Sequence, residues 1–183
     1  PLLAESTLPY STPDFSKIKS ADFKPAILEG IRLKKEAIQK IISDTSAPTF
    51  ENTLVELEKS GVVLSRALAP FYALTGAHTN DTLQKVQEEI APLLSEVNDF
   101  IYLNDTLFQK VKTLYEQRAG LKLDLESARL LEDYYTDFMI AGASLPEDKK
   151  EELRKINAQL ATLSTKFNKT LLAANNAGAV TYN

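Results

Sequence analysis

Along most of this chain the apolar residues recur every three or four positions, the spacing of one face of an α-helix, and no segment alternates strictly as a half-buried strand would. The clearest run is Phe50, Leu54, Leu57, Gly61, Leu64, Leu68 and Phe71. Leu83, Val86, Ile90, Leu93, Val97 and Ile101 repeat the pattern, and so do Leu153, Ile156, Leu160, Leu163, Phe167 and Leu171. Only 6 glycines interrupt 183 residues. A helix with one apolar stripe is stable when the stripe is covered by other helices. The pattern therefore predicts an all-α fold, an antiparallel helical bundle of about six helices.

Residues 1–22 read as an irregular arm, because Pro9, Pro13 and the neighbouring Ser and Thr resist helix formation. Leu8, Tyr10, Phe15 and Ile18 give the arm apolar side chains to lay against the body. The first helix is expected from about Lys24 to Ser43, with Pro25 in its first turn. Ile27, Ile31, Ile38 and Ile41 would face inward, and Arg32, Lys34, Lys35 and Glu36 outward. The second starts at Thr49 as N-cap, and Pro70 should kink it near its end. The third follows the polar turn His78-Thr79-Asn80-Asp81 and contains Pro92, the site of a second expected kink. The fourth follows Asn104, with Leu107, Val111 and Leu114 inside. The fifth opens at Asp124, carries Leu125, Ala128, Leu131, Tyr135 and Phe138, and stops at Gly142. The sixth is expected from a capping box of Ser144 and Glu147, with Pro146 in its first turn and Gly178 at its end. If its stripe is core, Leu160→Ala should cost about 2–5 kcal/mol. Val180 and Tyr182 could begin a strand. The helical lobe is thus read as residues 23–177.

The composition narrows the function by exclusion. The formal charge is −4, from 21 Lys+Arg against 25 Asp+Glu, and no basic tract is present, which argues against nucleic-acid binding. No apolar run approaches the ~20 residues of a membrane span. With 0 cysteines, a disulfide scaffold and a thiolate metal site are excluded. The chain begins with Pro1, so an upstream stretch is expected to have been removed, and an export signal could have gone with it.

The strongest chemical statement concerns histidine. A zinc peptidase helix needs His-Glu-x-x-His, which presents two imidazoles to one metal. This sequence has 1 histidine, His78, followed by Thr79. His78 reads as a solvated or capping residue. Glu132/Asp133 with Asp137, Glu88/Glu89, and Glu147 through Glu152 read as solvated helix faces or helix-dipole partners. Tyr134, Tyr135 and Phe138 read as core and rim. No Gly-rich phosphate loop and no Gly-x-Ser-x-Gly elbow occurs. No catalytic, cofactor-binding or metal-ligating residue is assigned.

Particular strings add a resemblance. Pro1-Leu2-Leu3, Ser6-Thr7-Leu8-Pro9-Tyr10, Pro13 to Ile18, Phe23 to Gly30, and Thr49-Phe50-Glu51-Asn52-Thr53 occur in that order. Ala77 to Asp81, Ile101 to Asn104, Ala141-Gly142-Ala143, and Phe167 to Asn175 continue it. The ordered set resembles the N-terminal helical region of a bacterial peptidyl-dipeptidase of the thimet oligopeptidase and oligopeptidase A zinc metallopeptidase family. The resemblance covers essentially the whole chain. It implies the N-terminal lobe of a larger all-helical enzyme with a deep channel between two lobes, and residues 178–183 would start the connection to a catalytic domain. It implies zinc in the parent, held far toward the C-terminus, and none bound by this part. It implies short peptides as substrates, release of C-terminal dipeptides, and the C-terminal catalytic domain of the same chain as the partner of a lobe that walls the channel. The cytoplasm is favoured over the periplasm. The alternatives are a stand-alone helical interaction module, or part of an oligopeptidase A-like endopeptidase.

Overall fold

In the computed structural model, which describes residues 2–178, the arm forms three short 3-10 turns, Pro9–Ser11, Phe15–Lys17 and Ser20–Asp22. Its apolar contacts differ from expectation. Leu2 is buried and Ile18 packs on the core, whereas Leu8, Tyr10 and Phe15 are exposed. Local polar bonds shape the turn around Phe15 instead. Asp14 accepts the Ser16 N–H and hydroxyl and pairs with Lys17 at 2.9 Å. Arg66 on the body donates to the Leu3 carbonyl at 2.9 Å and tethers the start of the arm.

The body is all-α. It comprises α1 (Phe23–Ser43), α2 (Glu56–Ser60), α3 (Val62–Ala77), α4 (Asp81–Tyr102), α5 (Asp105–Gln117), α6 (Leu125–Ala141) and α7 (Glu147–Ala177). A π-helical turn, Phe50–Val55, leads into α2, and with α3 these make one rod, so the body consists of six rods. That rod is broken at Gly61, where the sequence placed only a packing position. Pro70 and Pro92 lie inside α3 and α4, and both helices run on past them.

The rods start where side chains can satisfy free backbone donors. Thr49, Asn80, Asn104 and Asp124 accept from the N–H groups of Asn52, Leu83, Leu107 and Ser127 at 3.0, 3.0, 2.9 and 2.8 Å. Such bonds favour the ionised carboxylate. The Ser127 N–H and hydroxyl hold Asp124 below its ordinary range, and the Ser46 hydroxyl and N–H do the same for Asp44. Arg32 and Lys24 lower Glu29 and Glu89. A folded pKa below the unfolded one gives stability that is present above the unfolded value and lost as pH falls through the folded value. Asp99 opposes this trend, because burial raises its pKa. Ser16 and Lys17 lower Asp14 as well, so with five carboxyls lowered and one raised the thermal midpoint should fall as pH drops from about 5 towards about 3. A flat midpoint over that interval would contradict the capping account.

The core lies where α1 crosses the second rod and α4. Ile27, Ile31, Ile38 and Ile41 are buried, as expected, against Leu64, Ala67 and Phe71. Leu83, Val86, Ile90, Val97 and Ile101 bring in α4, and Leu107, Phe108, Val111 and Leu114 bring in α5. On α6 the inner face begins only at Leu131. Leu125 is 93% exposed, and Ala128 is exposed too, so the first turn of α6 projects beyond its neighbours.

The link from α6 to α7 also departs from expectation. Gly142 adopts the left-handed conformation at φ 95°, and Ala143 N–H returns to the Phe138 carbonyl. This C-terminal turn of α6 occupies the position where Ser144 was expected to cap. The N-cap of α7 is Pro146, with no side-chain bond, and the Lys149 and Lys150 N–H groups reach its carbonyl at 3.0 Å.

The largest correction concerns the face that α7 presents. It packs chiefly on α4, through polar and small residues. Asn157 donates to Asp99 at 2.7 Å, Lys169 pairs with Glu88 at 2.7 Å, and Lys150, only 1% exposed, pairs with Asp105 of α5. These ties turn the predicted inner stripe outward. Ile156, Leu160, Leu163, Phe167 and Leu171 are exposed, Leu160 at 59% and Phe167 at 66%. In this chain Leu160→Ala should therefore change stability by no more than about 0.5 kcal/mol, read from the thermal midpoint. Removing the Asp105 carboxylate leaves the buried Lys150 ammonium unpaired. Asp105 is itself 71% exposed, so water replaces part of the bond, and Asp105→Ala should cost about 1–2 kcal/mol in urea unfolding. Pairing that variant with Lys150→Met should recover most of the loss.

Candidate functional site

His78 caps the C-terminus of α3, where its N–H donates to the Leu74 carbonyl at 2.8 Å, and its side chain is exposed. Among the described residues no three His, Asp or Glu side chains come together as a metal would require. A hydrolytic zinc ion needs two imidazoles and a carboxylate, so the residues present do not fit that metal, and no step through zinc is assigned to them.

The carboxylate pairs form surface ion pairs. Glu88 meets Lys169 and Glu89 meets Lys24 at 2.7 and 2.8 Å. Arg129 spans Glu132 and Asp133, Arg154 reaches Glu147, and Lys149 reaches Glu152. Lys24 holds Glu89 below the ordinary carboxylate range, which makes it a poor general acid. No helix of the described residues is long and apolar enough to cross a membrane.

The aromatic group divides in two. Phe138 is core, with its ring centre 5.0 Å from Tyr102 and 5.9 Å from Phe108. Tyr135 stacks on Tyr115 at 4.0 Å, and the Arg118 guanidinium covers the other ring at 4.1 Å. Tyr134 points elsewhere. Its hydroxyl donates to Glu58 of α2 at 2.5 Å. Burial and the adjacent Glu58 carboxylate push this phenol well above its ordinary range. Tyr102 is raised by burial, then by Asp137 and Glu58. Lys34 of α1 is lowered by burial and partly restored by Glu58.

The Tyr134–Glu58 hydrogen bond thus ties α6 to α2, and Lys34, Tyr102 and Asp137 lie near enough to share its electrostatics. Sequence reasoning singled out Tyr134 and Asp137, gave Glu58 and Tyr102 no role and set Lys34 on the outward face of α1, where it is in fact half-buried; no local signal links residues 76 positions apart. A phenol kept protonated is a hydrogen-bond donor, not a base or a nucleophile. The bond ties two helices together and supplies no nucleophile–base pair.

A second surface feature is the bare stripe of α7, a row of large apolar side chains on a helix whose opposite side is already used against α4.

No protein-family model matches the chain. Among curated proteins, it is 44% identical over 180 residues to the dipeptidyl carboxypeptidase of Salmonella typhimurium, covering 98% of this chain and 26% of that protein. It is 42% identical over 183 residues to the dipeptidyl carboxypeptidase of Escherichia coli, covering 100% of the chain and 27% of the relative. Oligopeptidase A of Escherichia coli is 24% identical over 166 residues, or 91% of the chain and 24% of its own length. The chain therefore spans about a quarter of the length of the curated relatives it matches.

Proposed function

We propose, for a chain that is homologous along its whole length to the dipeptidyl carboxypeptidases and more distantly to oligopeptidase A, that it forms the non-catalytic N-terminal helical part of a zinc-dependent peptidyl-dipeptidase. The observation that carries the reading is 44% identity maintained over 98% of the chain. The parent enzyme hydrolyses short peptides and releases C-terminal dipeptides. Zinc and its ligands reside in the parent, outside these residues, and the helices described here wall the channel that admits substrate. Helices packed on one shared apolar core suit a wall, which has to hold a shape and perform no chemistry.

Dipeptide release is favoured over endopeptidase cleavage, because identity falls from 44% and 42% with the two dipeptidyl carboxypeptidases to 24% with oligopeptidase A. The test is an assay of the full-length enzyme on short peptides blocked or free at their C-termini. Free C-termini should yield dipeptides, a zinc chelator should stop the reaction, and added zinc should restore it. The 183-residue chain alone should release nothing. Internal cleavage of blocked peptides would move the parent to the oligopeptidase A type. Turnover by the short chain alone would overturn the reading.

A further inference from the structure

We propose that the exposed stripe of α7 is the seat on which the remainder of the full-length protein docks, through an apolar helical face. This rests on the reading of the chain as part of a longer peptidase, and it names the surface and the residues that make the join.

Ile156, Leu160, Leu163, Phe167 and Leu171 succeed one another at steps of four, three, four and four, so they form one continuous line along α7. All five are exposed among the described residues. A soluble surface seldom carries such a line unless something covers it. Rotation of α7 cannot hide it. The α4-facing side is fixed by Asn157–Asp99 and Lys169–Glu88 bonds, and turning the stripe inward would break both. The helix therefore has two working faces, a polar one against α4 and an apolar one against something else.

Size decides between occupants. From Ile156 to Leu171 the stripe is about 22 Å long at 1.5 Å per residue, and one helix face is about 10 Å wide. That is one narrow strip carried by five side chains, whereas a stable interface between separate molecules draws on roughly 20–30 residues from each partner. A second copy of this chain meeting it through α7 alone would fall short. A segment of the same polypeptide needs far less, because covalent linkage makes the contact intramolecular and raises its effective concentration to the millimolar range or above. Such a segment is at hand, because about three quarters of each relative has no counterpart in these residues. The borders of the stripe are mainly uncharged, with Gln159, Ser164, Asn168 and Thr170 beside it and Lys166 the charged side chain next to Phe167. Apolar complementarity, not charge, would set the fit, as when an amphipathic helix lies in a groove.

The absence of native cysteines in this chain makes the test direct. Leu163→Cys is introduced into the 183-residue chain and into the full-length enzyme, and maleimide alkylation at that position is followed by peptide mass spectrometry. Each denatured protein gives the reference rate for an uncovered thiol. In the short chain the native rate should approach the reference. In the full-length enzyme it should be slower by on the order of tenfold or more. Equal rates in the two native proteins would overturn the inference. So would protection in the short chain that grows with its concentration, since that would make a second copy the occupant. Labelling requires no activity, so a full-length enzyme that protects position 163 yet cuts no peptide would refute the peptidase reading and leave the docking surface standing.

Discussion

Phe138→Ala is expected to destabilise this chain by about 3–5 kcal/mol, the largest effect of any single truncation considered. Phe138 is fully buried and sits at the junction of three rods, with Tyr102 of α4 and Phe108 of α5 as ring neighbours at 5.0 and 5.9 Å. Alanine would remove the apolar ring and leave a void that those two rings cannot close without pulling α4 and α5 together. Domains of this size are stable by about 5–15 kcal/mol, so the loss is a large share of the total. Urea unfolding of wild type and variant gives the number directly, with Leu160→Ala as a same-class substitution expected to do almost nothing. Comparable losses for the two would mean that the faces of α6 or α7 are misassigned.

Gly30→Leu should cost about 3 kcal/mol, for the opposite reason. A Cβ at Gly30 would lie 2.8 Å from the Leu64 Cα and 3.2 Å from its Cβ, so α1 and α3 touch almost backbone to backbone. A flexible side chain could move aside, but a helix backbone moves only with the whole rod. Alanine at this position is the informative control. It gains about 1 kcal/mol of helix propensity while meeting the same Cβ contact, so its net effect should be clearly smaller than that of leucine. If Gly30→Leu leaves the urea midpoint where it was, the close approach of the two helices is wrong.

The rods of this fold were readable because their evidence is local. Ile27, Ile31, Ile38 and Ile41 of α1 lie on one face and are buried, and Thr49, Asn104 and Asp124 cap helices where their side-chain chemistry predicts. What failed depended on neighbours. Ser144 carries a valid capping pattern, but the left-handed turn at Gly142 already uses the backbone around it. The stripe of α7 was found correctly as a stripe, and periodicity cannot say whether such a stripe faces this chain's own core or another surface. The Glu58–Tyr134 bond was invisible because its two halves belong to different rods, and neither side chain is unusual in its own surroundings. Homology supplied the functional reading, since the residues present carry no legible chemistry of their own.

The length of α7 has a mechanical consequence. Its 31 residues make a bar about 46 Å long, pivoted at Pro146 and gripped farther out where Lys169 meets Glu88. A tilt of about 3° at the pivot moves Leu153 by about 0.5 Å and Leu171 by about 2 Å at 1.5 Å per residue. The Lys169–Glu88 pair adds its alignment to that of Asn157–Asp99 and of the α4 packing, and it acts where a given tilt displaces the helix most.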